Sequence, residues 1–451
     1  MSTRKIFVTF FGSGGYFVAN YQWKDYISSS RYFQVVALEW MQKGVMPFRP
    51  DEVWVVLTPQ ARKKWTIPAA VGESSPRDQI YACAETMGVT VHEVDFDEQF
   101  SEQSVWRNFE TLVRELSEKA ESLGPDGELR VAVDATHSFR YFPMLVLTLF
   151  HYAYVVYGVR LDLILYATAD RDTQQGSVLD LTPLAQLQQW VLETQRALKG
   201  PDASGVQRLV EEIQKSVAGQ DSSLNALLSP LSKFAKKWNA LWEVLRITKH
   251  FAVPTAAKDA IEALDACERR FAERGADAAA FYPLLIILRQ VREQIEPLCE
   301  TEWVPLMLAM VRWYVDRGML HQAYTTMREL YYTHAAETAA MDVFDHSARE
   351  ELSRLAHSVS KGASDPNRDH PSLANIPQER IDAARAFLEQ FSEQISNISA
   401  LRNQLNHGFF QSGKPNTSEE TFRTSLEEPM AQLMEYVRAR EETVNEQNTQ
   451  S

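Results

Sequence analysis

The sequence predicts an α/β domain of the Rossmann-like, doubly wound kind followed by an all-α domain. Three observations carry that expectation. Short apolar runs rich in β-branched residues alternate with helical patterns over residues 1–183, the texture of a parallel sheet with crossover helices. Beyond Asp180-Leu181-Thr182-Pro183 the strand signals fade, and helical periodicity runs almost to the end. A length of 451 residues leaves room for two or three domains.

Composition narrows the class. With 45% hydrophobic and 24% charged residues the chain reads as soluble and globular. Its three cysteines, Cys83, Cys267 and Cys299, are odd in number and far apart, which argues against a disulfide framework and against a paired-cysteine zinc site. A reducing, cytoplasmic setting fits. Arg4-Lys5 before Ile6–Phe11 looks like the start of a signal peptide, but the apolar run ends at once in Gly12-Ser13-Gly14-Gly15. The longest apolar segment, Met144–Val159, includes His151 and falls short of the ~18 residues that suggest a membrane span. It reads as a buried helix. The net charge of −14 disfavours a non-specific duplex-DNA binder, though not a confined basic site.

In chain order, Ile6–Phe11 is a strand running into a glycine-rich turn, Gly12-Ser13-Gly14-Gly15-Tyr16. Such a turn lets backbone approach a phosphate closely, although the full G-x-G-x-x-G fingerprint is absent. Tyr32–Lys43 reads as a helix and Glu52–Leu57 as a strand ending at Thr58-Pro59. Arg62-Lys63-Lys64 follows on the next helix, either as a solvated face or as an attractor for an anion. Ile80–Met87 is helical, Val89–Val94 a strand and Val105–Leu123 a long amphipathic helix. Val131–Val133 is a buried strand that breaks at Asp134-Ala135-Thr136-His137-Ser138, and the helix from Phe142 to Val159 follows it. Strand, polar turn and helix place side chains and free N–H groups at the carboxyl edge of a parallel sheet, where open α/β folds bind ligands. An ordinary turn capped by Asp134 or Thr136 has the same pattern. Leu161–Tyr166 completes the strands.

The helical part begins with a connecting helix and linker over residues 184–205, and a helical domain spans residues 206–440. Within it, residues 360–378 form a proline-containing loop and Arg380–Leu401 resumes as helix; residues 441–451 are a polar tail. One group in this domain carries chemistry, Arg402-Asn403-Gln404-Leu405-Asn406-His407-Gly408, with Gly408 as a helix stop. At ~100° per residue Asn403 and His407 share one face, and Arg402 and Asn406 a neighbouring one. Arg402 and His407 lie ~140° apart, so a two-fold axis bringing a second copy alongside would strengthen the pair. An Arg, an Asn and a His without metal ligands suit cleavage of RNA by its own 2′-hydroxyl. The imidazole moves protons near neutral pH, the guanidinium stabilises charge on phosphorus and the amide orients. Chance alone supplies about half of one such spacing among ten histidines. The same two side chains could simply complement a helix dipole.

Taken together, Val133-Asp134-Ala135-Thr136-His137-Ser138-Phe139-Arg140 and the helical domain with its R-N-Q-L-N-H motif resemble the CARF–HEPN accessory ribonucleases of type III CRISPR systems. The resemblance is to the subfamily marked by D-x-T-H-G. Further residues share it: the G-S-G-G-Y turn, the V-V-L-T-P end of the second strand, Trp313-Tyr314, His321-Gln322-Ala323 and Arg328-Glu329-Leu330. It covers most of the chain, least well at residues 200–301 and 361–378.

The resemblance implies that residues 1–183 are a CARF domain binding a cyclic oligoadenylate, tetra- or hexa-adenylate, as an allosteric activator. Gly12, Ser13, Gly14, Tyr16, Thr58, Asp134, Thr136, His137, Ser138 and Arg140 would form that site. It implies a HEPN domain cleaving single-stranded RNA without metal or other cofactor, with Arg402 and His407 catalytic and Asn403 their polar companion. It also implies a homodimer or a higher oligomer, and the short apolar segments argue against a membrane partner. Ser138 replaces the glycine of the motif, setting a side chain where backbone normally meets the ligand. Arg140 is open between ligand contact and packing on the helix. Two other functions stay open: a non-catalytic sensor whose helical domain binds a partner, and a sensor that also degrades its own ligand. His250 and His321 read as surface or satisfied core residues. Lys233, Lys236, Lys237, Arg246 and Lys249 read as a solvated helix face.

Overall fold

The computed structural model describes residues 2–99, 101–137, 142–217, 222–274, 282–360, 376–408 and 417–449. They form two compact units, 1–190 and 191–451. In the first, eight strands make one sheet: β1 (Thr3–Phe11), β2 (Ala19–Trp23), β3 (Tyr26–Ser30), β4 (Glu52–Leu57), β5 (Thr90–Asp95), β6 (Glu128–Asp134), β7 (Arg160–Ala169) and β8 (Gln175–Asp180). Their order is β3-β2-β8-β7-β6-β1-β4-β5. From β7 to β5 every neighbour is parallel. β8 runs antiparallel to β7; β2 pairs parallel to β8 and antiparallel to β3.

The period-two alternation of β1 explains why this sheet has helices on both faces. Phe7 and Phe11 join a core with α1 (Phe33–Gln42), α2 (Pro59–Trp65) and α3 (Pro76–Met87). Ile6, Val8 and Phe10 point the other way, into a core with α4 (Glu102–Ser122) and α5 (Phe142–Tyr157). Each such side chain contributes about 1.5–3 kcal/mol on burial, so both faces demand cover. The helix starts follow local chemistry. Thr58, Ser75 and Ser101 each accept a hydrogen bond from the third residue on, and Pro59 and Pro76 occupy first helical positions.

The β2–β3 hairpin and β8 extend the expected sheet. Their sequences give little warning: Ser28-Ser29-Ser30 and Gln175-Gly176-Ser177 carry no apolar pattern. The two-residue turn between β2 and β3 takes its positive φ at Lys24 instead of at a glycine or asparagine.

The helical elements are α6 (Thr182–Lys199), α7 (Ser204–Val217), α8 (Ser222–Arg246), α9 (Val253–Arg274), α10 (Tyr282–Ile295), α11 (Trp303–Asp316), α12 (Leu320–Ala339), α13 (His346–Ser360), α14 (Gln378–Gln390), α15 (Ser392–Asn406), α16 (Glu419–Thr424) and α17 (Glu427–Thr449). The boundary between the units falls within α6. α12 is the centre of the helical unit, burying Tyr324, Met327, Leu330 and Tyr331 against α11, α13, α14 and α15.

Two expectations gain detail here. The helix expected over Arg380–Leu401 is divided into two at Phe391 (φ −102°, ψ 16°), whose ring packs against Tyr331, Phe387 and Tyr436. The polar tail expected from residue 441 is helical to Thr449, because adding residues to an anchored helix costs far less than starting one. Of the expected proline-containing loop, residues 361–375 lie outside the described residues. The basic face on α8 is partly spent on ion pairs, Lys237 with Asp259 at 2.6 Å and Lys236 with Glu211 at 3.7 Å.

Candidate functional site

In the sheet unit, β1 has β4 on one side and β6 on the other, so the chain order reverses between β1 and β6. That is the topological switch point where doubly wound sheets open a crevice at their carboxyl ends. Gly12, Ser13, Gly14 and Tyr16 leave β1 there, and Thr136 and His137 leave β6.

Asp134 sits beneath them, fully buried. It is paired in register with Thr9, whose hydroxyl donates to Asp134 Oδ2 at 2.7 Å, while the Thr136 N–H donates to Oδ1 at 2.9 Å. Burial pushes its carboxyl above the usual range, with the bonds from Thr136 and Thr9 opposing. Asp134 therefore holds the turn from below. Thr136 Oγ1 accepts from the Ala167 N–H of β7 at 2.8 Å, tying the turn to the next strand.

Tyr16 folds back over the glycine turn. Its hydroxyl accepts from Gly12 N–H at 2.7 Å, and its ring stacks on Phe11 at 5.0 Å and meets His137 edge-on at 4.6 Å. A Cβ on Gly12 would lie 3.0 Å from the His137 carbonyl oxygen, so the two turns touch through backbone. Burial lowers the His137 imidazole to about 4. It is neutral at neutral pH, and its Nε2 is buried with no hydrogen-bond partner among the described residues. Gly14, Tyr16, Arg31, Thr136, His137 and Ala167 are among the residues around a cavity of about 130 Å³. A buried nitrogen left unpaired beside a cavity costs about 1–3 kcal/mol, which a ligand donor or acceptor would recover.

Three cations surround the same turn. Lys64 Nζ donates to Ser13 O, Arg171 to Gly15 O at 3.2 Å, and Arg31 to Tyr16 O at 3.1 Å. Of the basic cluster on α2, Lys64 thus joins the turn, while Arg62 is taken by Glu93 and Asp95. Arg31 and Arg171 carried no motif in the sequence and become recognisable only when the sheet order is known. Thr58 is the N-cap of α2, accepting from Ala61 N at 3.2 Å. Its hydroxyl already has a structural task. Ser138 and Arg140 lie outside the described residues.

In the helical unit, α12 and α15 pack antiparallel with two polar pairs in step. Arg402 Nε lies 3.3 Å from Thr325 Oγ1, and Asn406 Oδ1 lies 3.3 Å from His321 Nδ1. This is the face arithmetic of the sequence: Arg402 and Asn406 turn toward α12, while Asn403 and His407 are exposed. His407 caps α15, its N–H bonded to Asn403 O at 3.0 Å, and Gly408 follows at φ 54°. The described hydrogen bonds hold Arg402 against Thr325 and not against His407. His321, which the sequence reading set aside, stands next to the motif.

A larger cavity of about 480 Å³ in this unit is lined by residues that include Leu298, Val304, Leu308, Trp313, Met430 and Met434, and by none of the expected site residues. Among the described residues no helix is long and apolar enough to cross a membrane.

No family model and no curated protein matches the chain. Among solved structures, Enterococcus italicus Csm6 bound to cyclic hexa-2′-fluoro-hexa-dAMP is similar to it at 12% identity, over 95% of this chain and 94% of that one, with a TM-score of 0.39. A likeness this loose transfers no residue.

Proposed function

We propose that the chain is an endoribonuclease of CRISPR antiviral defence, cytoplasmic and homodimeric, that a cyclic oligoadenylate switches on. The observation that carries the reading is the Arg402–Asn403–His407 group: Arg402 is aimed by Thr325, and Asn403 and His407 stand exposed at the end of α15. In single-stranded RNA, the 2′-oxygen attacks the adjacent phosphorus and the bond to O5′ breaks. Arg402 stabilises the charge gathering on the phosphoryl oxygens, Asn403 orients the strand and His407 transfers protons. The chemistry needs no metal or cofactor. A two-fold axis sets two copies of the group side by side and suits a ring of an even number of identical nucleotides. The activator's seat is the β1/β6 crevice. Gly12, Ser13, Gly14 and Tyr16 supply backbone and ring, with Thr58, Thr136 and His137 around them and Asp134 beneath; Ser138 and Arg140, outside the described residues, are the further contacts this reading expects. The cations Lys64 and Arg171 suit a polyanionic ring, whereas Arg31 is already paired with Glu73 at 2.9 Å.

The test is cleavage of a fluorescent single-stranded RNA in EDTA, with and without cyclic tetra- or hexa-adenylate, for wild type and His407→Ala. Cleavage that depends on one ring and vanishes in the variant is expected. Tight ring binding with no cleavage would replace this reading with that of a non-catalytic sensor.

A further inference from the structure

Attack by a 2′-hydroxyl needs a base to remove its proton and an acid to protonate the departing O5′. The motif brings one histidine per chain, so without the partner copy one of these roles is unfilled. The structure sets a second histidine beside the motif, on a different helix and against Asn406.

His321 lies in the first turn of α12, exposed, one residue past the start of the helix. Gly318, at φ 69°, makes the tight turn from α11 that sets α12 beginning here. Its Nδ1 is 3.3 Å from Asn406 Oδ1, and Asn406 is the residue before His407. A carboxamide oxygen only accepts, so Nδ1 carries the ring proton in this pair and Nε2 keeps its lone pair. Fixing one ring nitrogen through an acceptor is how an imidazole is prepared to take a proton at the other. The antiparallel packing adds a division of labour. The amino end of α12 carries partial positive charge and suits a proton acceptor, and the carboxyl end of α15 carries partial negative charge and suits a proton donor. Among the described residues, the charged groups near this end include Arg402, the Asp316–Arg317 end of α11 and the Glu419–Arg423 ion pair of α16, whose Arg423 approaches Gly318.

We infer that His321 is a catalytic residue of this site, the general base for RNA cleavage, with His407 of the same chain as its acid partner. Nε2 of His321 takes the proton from the 2′-hydroxyl as the 2′-oxygen bonds to phosphorus. The P–O5′ bond breaks, its electron pair stays on O5′, and O5′ takes the proton of His407. The products are a 2′,3′-cyclic phosphate and a 5′-hydroxyl, and solvent returns both histidines to their starting states. The inference rests on the ribonuclease reading.

The experiment is single-turnover cleavage of a short single-stranded RNA by the full chain with activator, across pH 5 to 9. It compares wild type, His321→Ala, His407→Ala and Asn406→Asp. Alanine is a good helix former at an exposed position, so the His321→Ala fold is expected intact, and its activator affinity serves as the control. His321→Ala is expected to lose about 100-fold in rate together with the acidic limb of the profile, and to regain part of the rate in added imidazole. Asn406→Asp is expected to move that limb to higher pH. A His321→Ala rate within threefold of wild type overturns the inference and leaves the ribonuclease reading standing. So does a slower variant that keeps the acidic limb, because that outcome marks a purely structural residue. A wild type that cleaves nothing overturns the ribonuclease reading, and this inference with it.

Discussion

His137 is the residue whose environment departs furthest from what a surface turn would give it. Its folded value of about 4 lies below the ordinary 6.5, so the folded chain takes up the proton less readily than the unfolded one. Stability is therefore full above pH 6.5 and is lost as the pH falls toward 4, by about 3 kcal/mol at the end of that window. Replacing His137 with Gln removes the titration. Urea unfolding at pH 7.5 and 4.5 should show wild type losing about 2 kcal/mol more than His137→Gln between the two. Equal losses would mean that the imidazole is solvated in the folded chain. Gly12→Ala tests the same contact from the other turn. Its Cβ would press on the His137 carbonyl at 3.0 Å, at a cost of about 1–3 kcal/mol in thermal unfolding, and should weaken cyclic oligoadenylate binding. The strand–turn–helix pattern was enough to place Asp134, Thr136 and His137 at a sheet edge, because strand ends follow from local composition. It could not assign their separate tasks. That Asp134 faces Thr9 and not the crevice depends on the register between β1 and β6, and 125 residues separate the two.

At the level of elements, it is α12 against α15 that orients Arg402 and Asn406 of the proposed motif. The helices themselves were legible from periodicity, and so was the sharing of a face by Arg402 and Asn406. The partner helix was not: nothing in the spacing of residues 402–408 says that Thr325 and His321 are the side chains opposite. The hairpin β2–β3 was illegible for another reason, since it is held by backbone pairing at an exposed edge and its turn lacks the usual residues. Thr325→Val isolates the helix contact. It keeps the shape and removes only the oxygen that meets Arg402 Nε at 3.3 Å. Activated RNA cleavage should fall about tenfold, with less than about 1.5 kcal/mol lost in urea unfolding, the range of a single hydrogen bond. An unchanged rate would show that Arg402 finds its working position without Thr325.

At the scale of the whole molecule, the β1/β6 crevice and the Arg402–His407 group lie in different units of one chain. On the proposed reading, activation requires that occupancy of one change the free energy of the other. Such coupling is reciprocal for binding: an activator that raises RNA affinity by some factor must itself be bound tighter by that same factor when RNA is present. The size expected for couplings of this kind is about 5–150-fold. The net charge of −14 makes the measurement stringent, because long-range attraction for RNA is absent and any gain must come from local contacts. His407→Ala, which should bind RNA without cutting it, is the chain to use. Isothermal titration with the activating ring, in the presence and absence of saturating single-stranded RNA, should give affinities that differ at least fivefold. Titration with RNA, with and without the ring, should give the same ratio. Equal ring affinities in both conditions, alongside ring-dependent cleavage by wild type, would place activation in the chemical step alone. The ring would then act by improving the alignment of Arg402 and His407 on RNA that is already bound, because reciprocity governs binding and not the rate of a bond-breaking step.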